Sequence, residues 1–170
     1  ILPQLSSLDW AVSIDLRDAY FHVPIHRSSR RLLGFQFLDR VFQYVALPFG
    51  LKDSPWVFTR VVATVVEFLR KKGVRMFYYL DDWLIVAESK SLLLFHLSLV
   101  LSRVQDLGFL VNWKKSSLEP QRVPIYLGAV LDIPRGLARP AEHRVVALQK
   151  LVQELSSKRF VTARRWQVFL

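Results

Sequence analysis

Two adjacent aspartates, Asp81 and Asp82, lie inside the most strand-like segment of the chain, FYYLDDWLIV at residues 77–86. In a regular strand neighbouring side chains point to opposite faces, so one carboxylate would be driven into the core. At a hairpin turn both carboxylates can face solvent. We therefore expect a strand, a tight turn at the aspartates and a second strand. The alternative interpretation of the pair is an ordinary Asp-rich turn without chemistry.

A third acid, Asp15, comes near the end of the apolar run WAVSIDL at residues 10–16. A hard divalent cation requires clustered oxygen ligands, and Mg²⁺ favours one or two carboxylates together with water and substrate phosphates. Strand ends of one sheet can supply such a cluster. Two ions about 3.5–4 Å apart would activate an attacking hydroxyl and stabilise a leaving oxygen in a phosphoryl displacement. The three acids are therefore candidates for this chemistry.

Basic residues are in excess, with 24 Lys and Arg against 14 Asp and Glu, a formal net charge of +10 and a pI near 10.3. This balance suits a polyanionic partner, and nucleic acid is the first expectation. A merely soluble basic protein is the alternative. The excess is uneven, because eight Lys or Arg and two Glu place +6 of the charge in residues 135–170.

Several other classes are excluded or disfavoured. With 170 residues, 52% of them hydrophobic, the chain is expected to form one packed globular unit and not to be disordered. The absence of Cys excludes disulfides, thiolate zinc sites and cysteine nucleophiles. His22 and His26 are four residues apart, but Pro24 prevents the helix that would align them, so no zinc site is expected there.

Neither a signal peptide nor a membrane span is predicted. The start, ILPQLSSLDW, has no initiating Met and no charged segment before an apolar one, so we expect a piece of a longer chain. The longest apolar stretches, at 56–69 and 92–104, are shorter than a membrane span and are interrupted by Arg60, Glu67 and His96. These stretches are expected to be core helices.

The order of elements indicates an α+β fold, in which an antiparallel sheet packs on helices. A long helix is expected to begin with Ser54 as N-cap and Pro55 at the first helical position, and to close at Gly73. The other expected elements are a strand at 10–16, a short helix at 27–33, a hairpin at 34–47, a helix at 91–108 stopped by Gly108, short strands and loops at 109–132, and two helices in 140–170, the second capped by Thr162.

Five ordered segments resemble the catalytic motifs of retroelement reverse transcriptases. They are VSIDLRDAYFHVPIH (12–26), FQYVALPFGLKDSPWVFTR (42–60), YYLDDWLIV (78–86), LGFLVNWKKSSLEP (107–120) and IYLGAVLD (125–132). The chain is similar to the palm of DIRS-type tyrosine-recombinase retrotransposons and, more distantly, of LTR retrotransposons and retroviruses. Five motifs in order are far more specific than a lone Asp-Asp pair. The resemblance implies a polymerase palm with part of the fingers in 1–134 and the helical, truncated start of a thumb or connection in 135–170.

The resemblance also implies roles for single residues. Asp15, Asp81 and Asp82 match the catalytic acids and, with the carbonyl of Leu16, the ligands of two Mg²⁺ ions, for which Mn²⁺ is an alternative. Lys115 matches a proposed general acid for the departing pyrophosphate. Lys114 is an alternative for this role, and a solvated basic turn is the alternative interpretation of both lysines.

Further matches concern the substrates. The residues that match the nucleotide site are Leu16, the backbone amides of Asp18 and Ala19, the steric gate Tyr20 against ribonucleotides, and the loop residues Phe49 and Gly50. Tyr20 could equally be a plain core aromatic. Phe49 stands where retroviral enzymes often have Gln. Phe is common at this position in retrotransposons. The turn that matches the primer grip consists of Tyr126, Leu127 and Gly128.

The implied function is RNA-directed DNA polymerisation by two-metal nucleotidyl transfer. The expected partners are an RNA or DNA template-primer, dNTPs and other domains of a parent polyprotein, namely fingers, thumb and RNase H. Because the basic fingers residues of the family precede the first motif, activity is expected of the full-length parent and not of this fragment alone. The alternatives are a catalytically inactive or domesticated nucleic-acid-binding module and an RNA-dependent RNA polymerase, against which Tyr20 and the LPFG loop argue.

Overall fold

The structure is a computed structural model that describes residues 1–156. Three 3₁₀ helices lie at Leu2–Gln4, Ala19–His22 and Arg27–Leu33. The strands and α-helices in chain order are β1 (Trp10–Asp15), β2 (Gly34–Phe37), β3 (Arg40–Gln43), α1 (Ser54–Lys71), β4 (Arg75–Tyr79), β5 (Asp82–Ala87), α2 (Lys90–Asp106), β6 (Ser117–Gln121), β7 (Ile125–Tyr126), β8 (Ala129–Asp132), β9 (Leu137–Pro140) and α3 (Glu142–Ser156).

The central sheet has four strands in the order β4-β5-β1-β6, with antiparallel neighbours. Its two inner strands are buried on both faces. Along β5, Trp83 and Ile85 pack with α1 and α2, whereas Leu84 and Val86 pack on the opposite side with Tyr126 and its neighbours. A strand that is covered on both faces has a continuous run of apolar residues, without alternation of polar and apolar side chains. The segments that contain Asp15 and Asp82 have this pattern in the sequence.

The α+β class is confirmed, and so are the two apolar stretches as core helices. α1 and α2 turn the buried side chains of Phe58, Val62, Val66, Leu93 and Val100 toward the central sheet. Within residues 1–156 no helix has both the length and the apolarity needed to cross a lipid bilayer. The hairpin expected in 34–47 is present as β2 and β3, and its strand residues are solvent-exposed.

The predicted N-cap of α1 is wrong by one residue. Asp53 occupies the N-cap position, without a side-chain hydrogen bond, and Ser54 is the first residue of the helix. The hydroxyl of Ser54 is buried and donates a 2.6 Å hydrogen bond to the carbonyl of Pro48. The side chain therefore anchors the LPFG loop to the helix instead of capping the helix. Gly73 closes the segment after the helix at φ 86°, as the sequence indicates.

The region after residue 134 begins with a strand that the sequence analysis did not predict. β9 pairs with β8 to complete a three-stranded sheet with β7, and the expected helix starts only at Glu142. All four residues of β9 are exposed. The segment therefore lacks the alternation of buried apolar and exposed polar residues by which a strand is predicted from sequence. The helix expected from Thr162 lies outside the described residues.

Candidate active site

The acidic pair lies at a two-residue hairpin turn. β4 ends at Tyr79 and β5 begins at Asp82, which confirms the predicted order of strand, turn and strand. The turn consists of Leu80 and Asp81, one residue earlier than predicted, and Asp82 is the first residue of β5. Leu80 has φ 53°, a left-handed conformation that costs a non-glycine residue about 1–3 kcal/mol. Two bonds hold the turn in place: Trp83 Nε1 donates to the Leu80 carbonyl at 3.1 Å, and the Leu16 amide donates to the Asp81 carbonyl at 2.9 Å.

The three acids converge at one end of the central sheet. Asp15 and Asp82 are directly opposite each other in the β1–β5 ladder, and Asp81 precedes Asp82 in the turn. Burial raises the pKa of Asp15, and the charge of Asp81 adds to this effect against the opposing influence of Lys115 and Asn112. Burial also raises the pKa of Asp82, with further contributions from Asp81 and Asp15. The carboxylates are thus close enough to repel one another.

The donor set fits a cation that takes its remaining ligands from water and substrate. Among residues 1–156, no group of three or more His, Cys, Asp or Glu side chains is arranged to hold a metal ion. Instead, Asp15 and Asp81 line one cleft, and Asp15 and Asp82 line a second. One or two carboxylates with waters and phosphates are the usual ligands of Mg²⁺. A bound cation would also offset the repulsion among these carboxylates.

The first cleft, of about 780 Å³, gathers most of the residues predicted to bind a nucleotide. No hydrogen bond within residues 1–156 engages the carbonyl of Leu16 or the amides of Asp18 and Ala19. One side of the cleft therefore offers free main-chain groups. Gly50, at φ 86°, belongs to the neighbouring turn and does not line the cleft. The lining residues are Asp15, Leu16, Arg17, Asp18, Ala19, Tyr20, Phe49, Asp81, Val111, Asn112, Trp113, Lys114 and Lys115.

Tyr20 forms part of the floor of this cleft and also packs against the core. Its ring centroid lies 4.8 Å from that of Phe49 and 5.4 Å from that of Phe58. Burial raises the pKa of its hydroxyl, and the negative charge of Asp81 raises it further, so the hydroxyl stays protonated at neutral pH. Tyr20 can therefore be both a core aromatic and a residue of the nucleotide site, because its ring packs against other aromatic rings while the residue borders the cleft.

The second cleft, of about 640 Å³, holds the predicted primer-grip residues. Tyr126, Leu127 and Gly128 line it together with the acids Asp15 and Asp82. Leu127 and Gly128 form the β7–β8 turn, with φ values of 50° and 74°. The buried hydroxyl of Tyr126 donates a 3.1 Å hydrogen bond to the Asp82 carbonyl.

Lys115 lies where the two clefts meet. Its Nζ is 3.9 Å from Oδ2 of Asp15, and its side chain lines both clefts, whereas Lys114 lines only the first. The geometry therefore favours Lys115 over Lys114 as a cation that acts near the acids. Its side chain is 70% exposed, so it is free to reach a bound group.

Comparison with known proteins decides the family of the chain. The family model described as "Reverse transcriptase (RNA-dependent DNA polymerase)" matches residues 2–131. The chain belongs to the reverse transcriptase family.

Viral polyproteins are among the relatives of this reverse transcriptase chain. It is 35% identical to the Gag-Pol polyprotein of avian leukosis virus subgroup A, over 90% of the chain and 10% of the polyprotein. It is 31% identical to the Gag-Pol polyprotein of walleye dermal sarcoma virus, over 84% of the chain and 8% of the polyprotein. The chain thus spans about a tenth of these relatives. The narrower assignment to a DIRS-type retrotransposon stays a prediction.

Solved structures agree with the family assignment. A foamy viral protease-reverse transcriptase in complex with an RNA/DNA hybrid matches with a TM-score of 0.72 and 25% identity, over 84% of this chain and 18% of that one. A second foamy viral structure, in complex with double-stranded DNA, has a TM-score of 0.76 at 20% identity, over 97% of this chain and 26% of that one. The second likeness concerns the fold alone. The reverse transcriptase fold is therefore present across most of the chain.

Two polar residues that brace Asp15 in this reverse transcriptase chain were missed by the sequence analysis. The Asn112 amide donates to the Asp15 carbonyl at 2.8 Å, and the Asp15 amide donates to Ser116 Oγ at 3.0 Å. The Ser116 hydroxyl in turn donates to the Asn112 carbonyl at 2.8 Å. A side-chain hydrogen bond from Asn112 also lowers the pKa of Asp15. The only sequence signal was their position on either side of the Trp-Lys-Lys segment.

Proposed function

We propose that the chain is the catalytic palm of an RNA-directed DNA polymerase, which adds dNTPs to the 3′-OH of a primer. The observation that carries this proposal is that Asp15, Asp81 and Asp82 lie where two clefts meet, one with the predicted nucleotide residues and one with the predicted primer grip. A reverse transcriptase of known structure with an RNA/DNA hybrid, similar in fold and sequence, supports an RNA or DNA template-primer as the partner.

In the first cleft, the free amides of Asp18 and Ala19 would bind the triphosphate, and Tyr20 would limit the space beside the sugar. Neighbouring main-chain amides are effective ligands for phosphate oxygens because each presents a donor without a competing side chain. Phe49 and Gly50 would border the base and sugar from the opposite loop. These contacts would orient the α-phosphorus toward the second cleft, where the primer end is expected.

Mg²⁺, with Mn²⁺ as an alternative, fits the carboxylates of Asp15, Asp81 and Asp82 together with the free carbonyl of Leu16. When bound, such ions lower the pKa of the attacking hydroxyl and neutralise charge on the leaving oxygen. Lys115 would supply the proton to the departing pyrophosphate, because its Nζ is already held near Asp15.

The remaining parts of the polymerase are proposed from the same resemblance. Residues 1–134 would form the palm with part of the fingers, and residues 135–170 would begin the thumb or connection. The net +6 charge of residues 135–170 suits the backbone of a bound duplex. The fingers, the rest of the thumb and RNase H are the proposed partners in the parent polyprotein.

The deciding experiment is primer extension on an RNA template by the full-length protein that carries this chain, compared with its Asp81→Asn variant. Loss of one cation-binding carboxylate is expected to reduce extension by at least about 100-fold. Asp106→Asn, at the end of α2, is the matched control because it removes the same charge outside both clefts. Equal extension by wild type and Asp81→Asn would refute the assignment.

The second candidate is a nucleic-acid-binding module without catalysis. It is favoured by the net charge of +10. This function predicts salt-sensitive binding of a template-primer and no extension that depends on Mg²⁺. The intact acids argue against it. The same wild-type assay, repeated with dNTPs and NTPs, also separates an RNA-dependent RNA polymerase from both candidates.

A further inference from the structure

Arg144, in the first turn of α3, lies directly against the backbone of the β7–β8 turn. A Cβ atom added to Gly128 would lie 2.1 Å from both Cζ and Nε of Arg144. Gly128 also has φ 74°, a conformation that side chains disfavour. The left-handed backbone therefore favours glycine at this position, and the missing side chain lets the flexible Arg144 guanidinium pack against the turn.

Main-chain hydrogen bonds fix the position of Arg144 relative to the turn. The Ala141 amide donates to the Gly128 carbonyl at 3.0 Å, and the Arg144 amide donates to the Ala141 carbonyl at 2.9 Å. The β7–β8 turn is also linked to the acidic hairpin, because the Tyr126 hydroxyl donates a hydrogen bond to the Asp82 carbonyl. The start of α3, the turn and the acids thus form one connected unit around the second cleft.

The charge of Arg144 is available to a ligand. The residue is exposed and lines the second cleft, and among residues 1–156 no carboxylate forms an ion pair with it. The same cleft carries Asp15 and Asp82. A guanidinium is a strong phosphate ligand because it offers several donors in a fixed plane. The second cleft therefore combines two carboxylates with Arg144, an unpaired cation of a type suited to phosphate.

We propose that Arg144 binds a backbone phosphate of the primer strand whose 3′ end reaches the acids through the second cleft. This inference rests on the proposed function and deepens it, because it adds a side chain from α3 to the turn formed by Tyr126, Leu127 and Gly128. Gly128 would then serve to bring the turn and the guanidinium together, so that one phosphate is held at a set position relative to Asp15 and Asp82.

The test measures binding of a primer-template to the full-length protein as a function of salt, in the presence of EDTA so that no catalysis is required. Arg144→Gln is expected to weaken binding on the order of tenfold and to reduce the slope of log K against log salt by about one. Arg144→Lys keeps the charge and should retain the slope. Lys72→Gln, at the exposed C-terminal end of α1 and outside both clefts, is the matched control and should change binding less.

The structural alternative has a different signature. If Arg144 serves only to pack on Gly128, Arg144→Gln will lower the melting temperature and leave the salt slope unchanged, which would overturn the proposal. Failure of the proposed function is a separate result: absence of primer extension by the wild type, with an Arg144-dependent salt slope intact, would refute catalysis and keep this phosphate site. Unchanged affinity and slope in Arg144→Gln, with normal extension, would refute the site alone.

Discussion

Tyr126 and Asp82 are joined by a hydrogen bond of 3.1 Å from the phenol hydroxyl to the main-chain carbonyl. Tyr126 is 5% exposed, and burial raises the pKa of its hydroxyl well above the ordinary value, with a further contribution from the charge of Asp82. The hydroxyl is therefore protonated and able to donate at neutral pH. Through it, the turn of the second cleft is fixed relative to the acidic hairpin.

Tyr126→Phe should lower the free energy of unfolding by about 1 kcal/mol, because it removes one buried hydrogen bond and keeps the ring. In the full-length protein the same change should raise the KM for primer-template more than the KM for dNTP, since the turn loses its link to Asp82. Chemical denaturation and steady-state extension measure the two effects. Tyr44→Phe, at an exposed ring beside the β2–β3 hairpin, is the control. An unaltered KM for primer-template in Tyr126→Phe would contradict this account.

Tyr20 is the residue expected to exclude ribonucleotides. Because its ring packs against Phe49 and Phe58, it cannot yield freely to a 2′-hydroxyl. Tyr20→Val should increase incorporation of NTP relative to dNTP by at least about tenfold, whereas Tyr20→Phe should keep the wild-type preference because the ring remains. Single-nucleotide incorporation assays give the ratio for each variant. Equal discrimination by the Val and Phe variants would show that the ring does not set the sugar preference.

The sequence predicted the acidic hairpin well, because two adjacent carboxylates in an apolar segment are tolerated only where both can avoid the core. The hydrogen-bond partners of Asp15, in contrast, were not predicted from the sequence. Asn112, through its amide, and Ser116, through its hydroxyl, bond to the main chain of Asp15 across about 100 residues, and no local pattern encodes such contacts. Arg144 was missed for the same reason, since its significance arises from its contact with Gly128. Local periodicity fixes which elements form, and tertiary packing decides which polar residues meet.

His96 makes stability depend on pH. It is 6% exposed on α2, its Nδ1 has no hydrogen-bond partner within the described residues, and burial lowers its pKa below the ordinary 6.5. Well above pH 6.5, at pH 8 for example, both the folded and the unfolded states are neutral at this residue. As the pH falls below 6.5, the unfolded chain takes up a proton that the folded protein does not, so the folded state loses stability.

His96→Leu should therefore stabilise the protein, and the gain should be larger at pH 5 than at pH 8. At pH 8 the change removes an unsatisfied buried polar atom, worth on the order of 1 kcal/mol, and at pH 5 it also removes the protonation penalty. Urea denaturation at the two pH values gives the difference. His143→Leu, at an exposed position of α3, is the control for the substitution. The same gain at both pH values would mean that His96 does not titrate as described.

Within residues 1–156, Asp9 and Arg75 form the most buried ion pair, and this pair holds the N-terminal segment against β4. Asp9 is fully buried and accepts bonds of 2.8 and 2.9 Å from the two Nη atoms of Arg75, and a 2.8 Å bond from the Ser6 amide. Asp9→Asn should lower the free energy of unfolding by about 3 kcal/mol, because an Arg is left without its carboxylate and the amide cannot accept all three bonds. Asp132→Asn, which breaks the more exposed 3.5 Å pair with Arg135, should cost at most about 1 kcal/mol. Guanidinium denaturation of both variants compares the two pairs, and equal losses would show that burial does not determine the strength of the Asp9 pair.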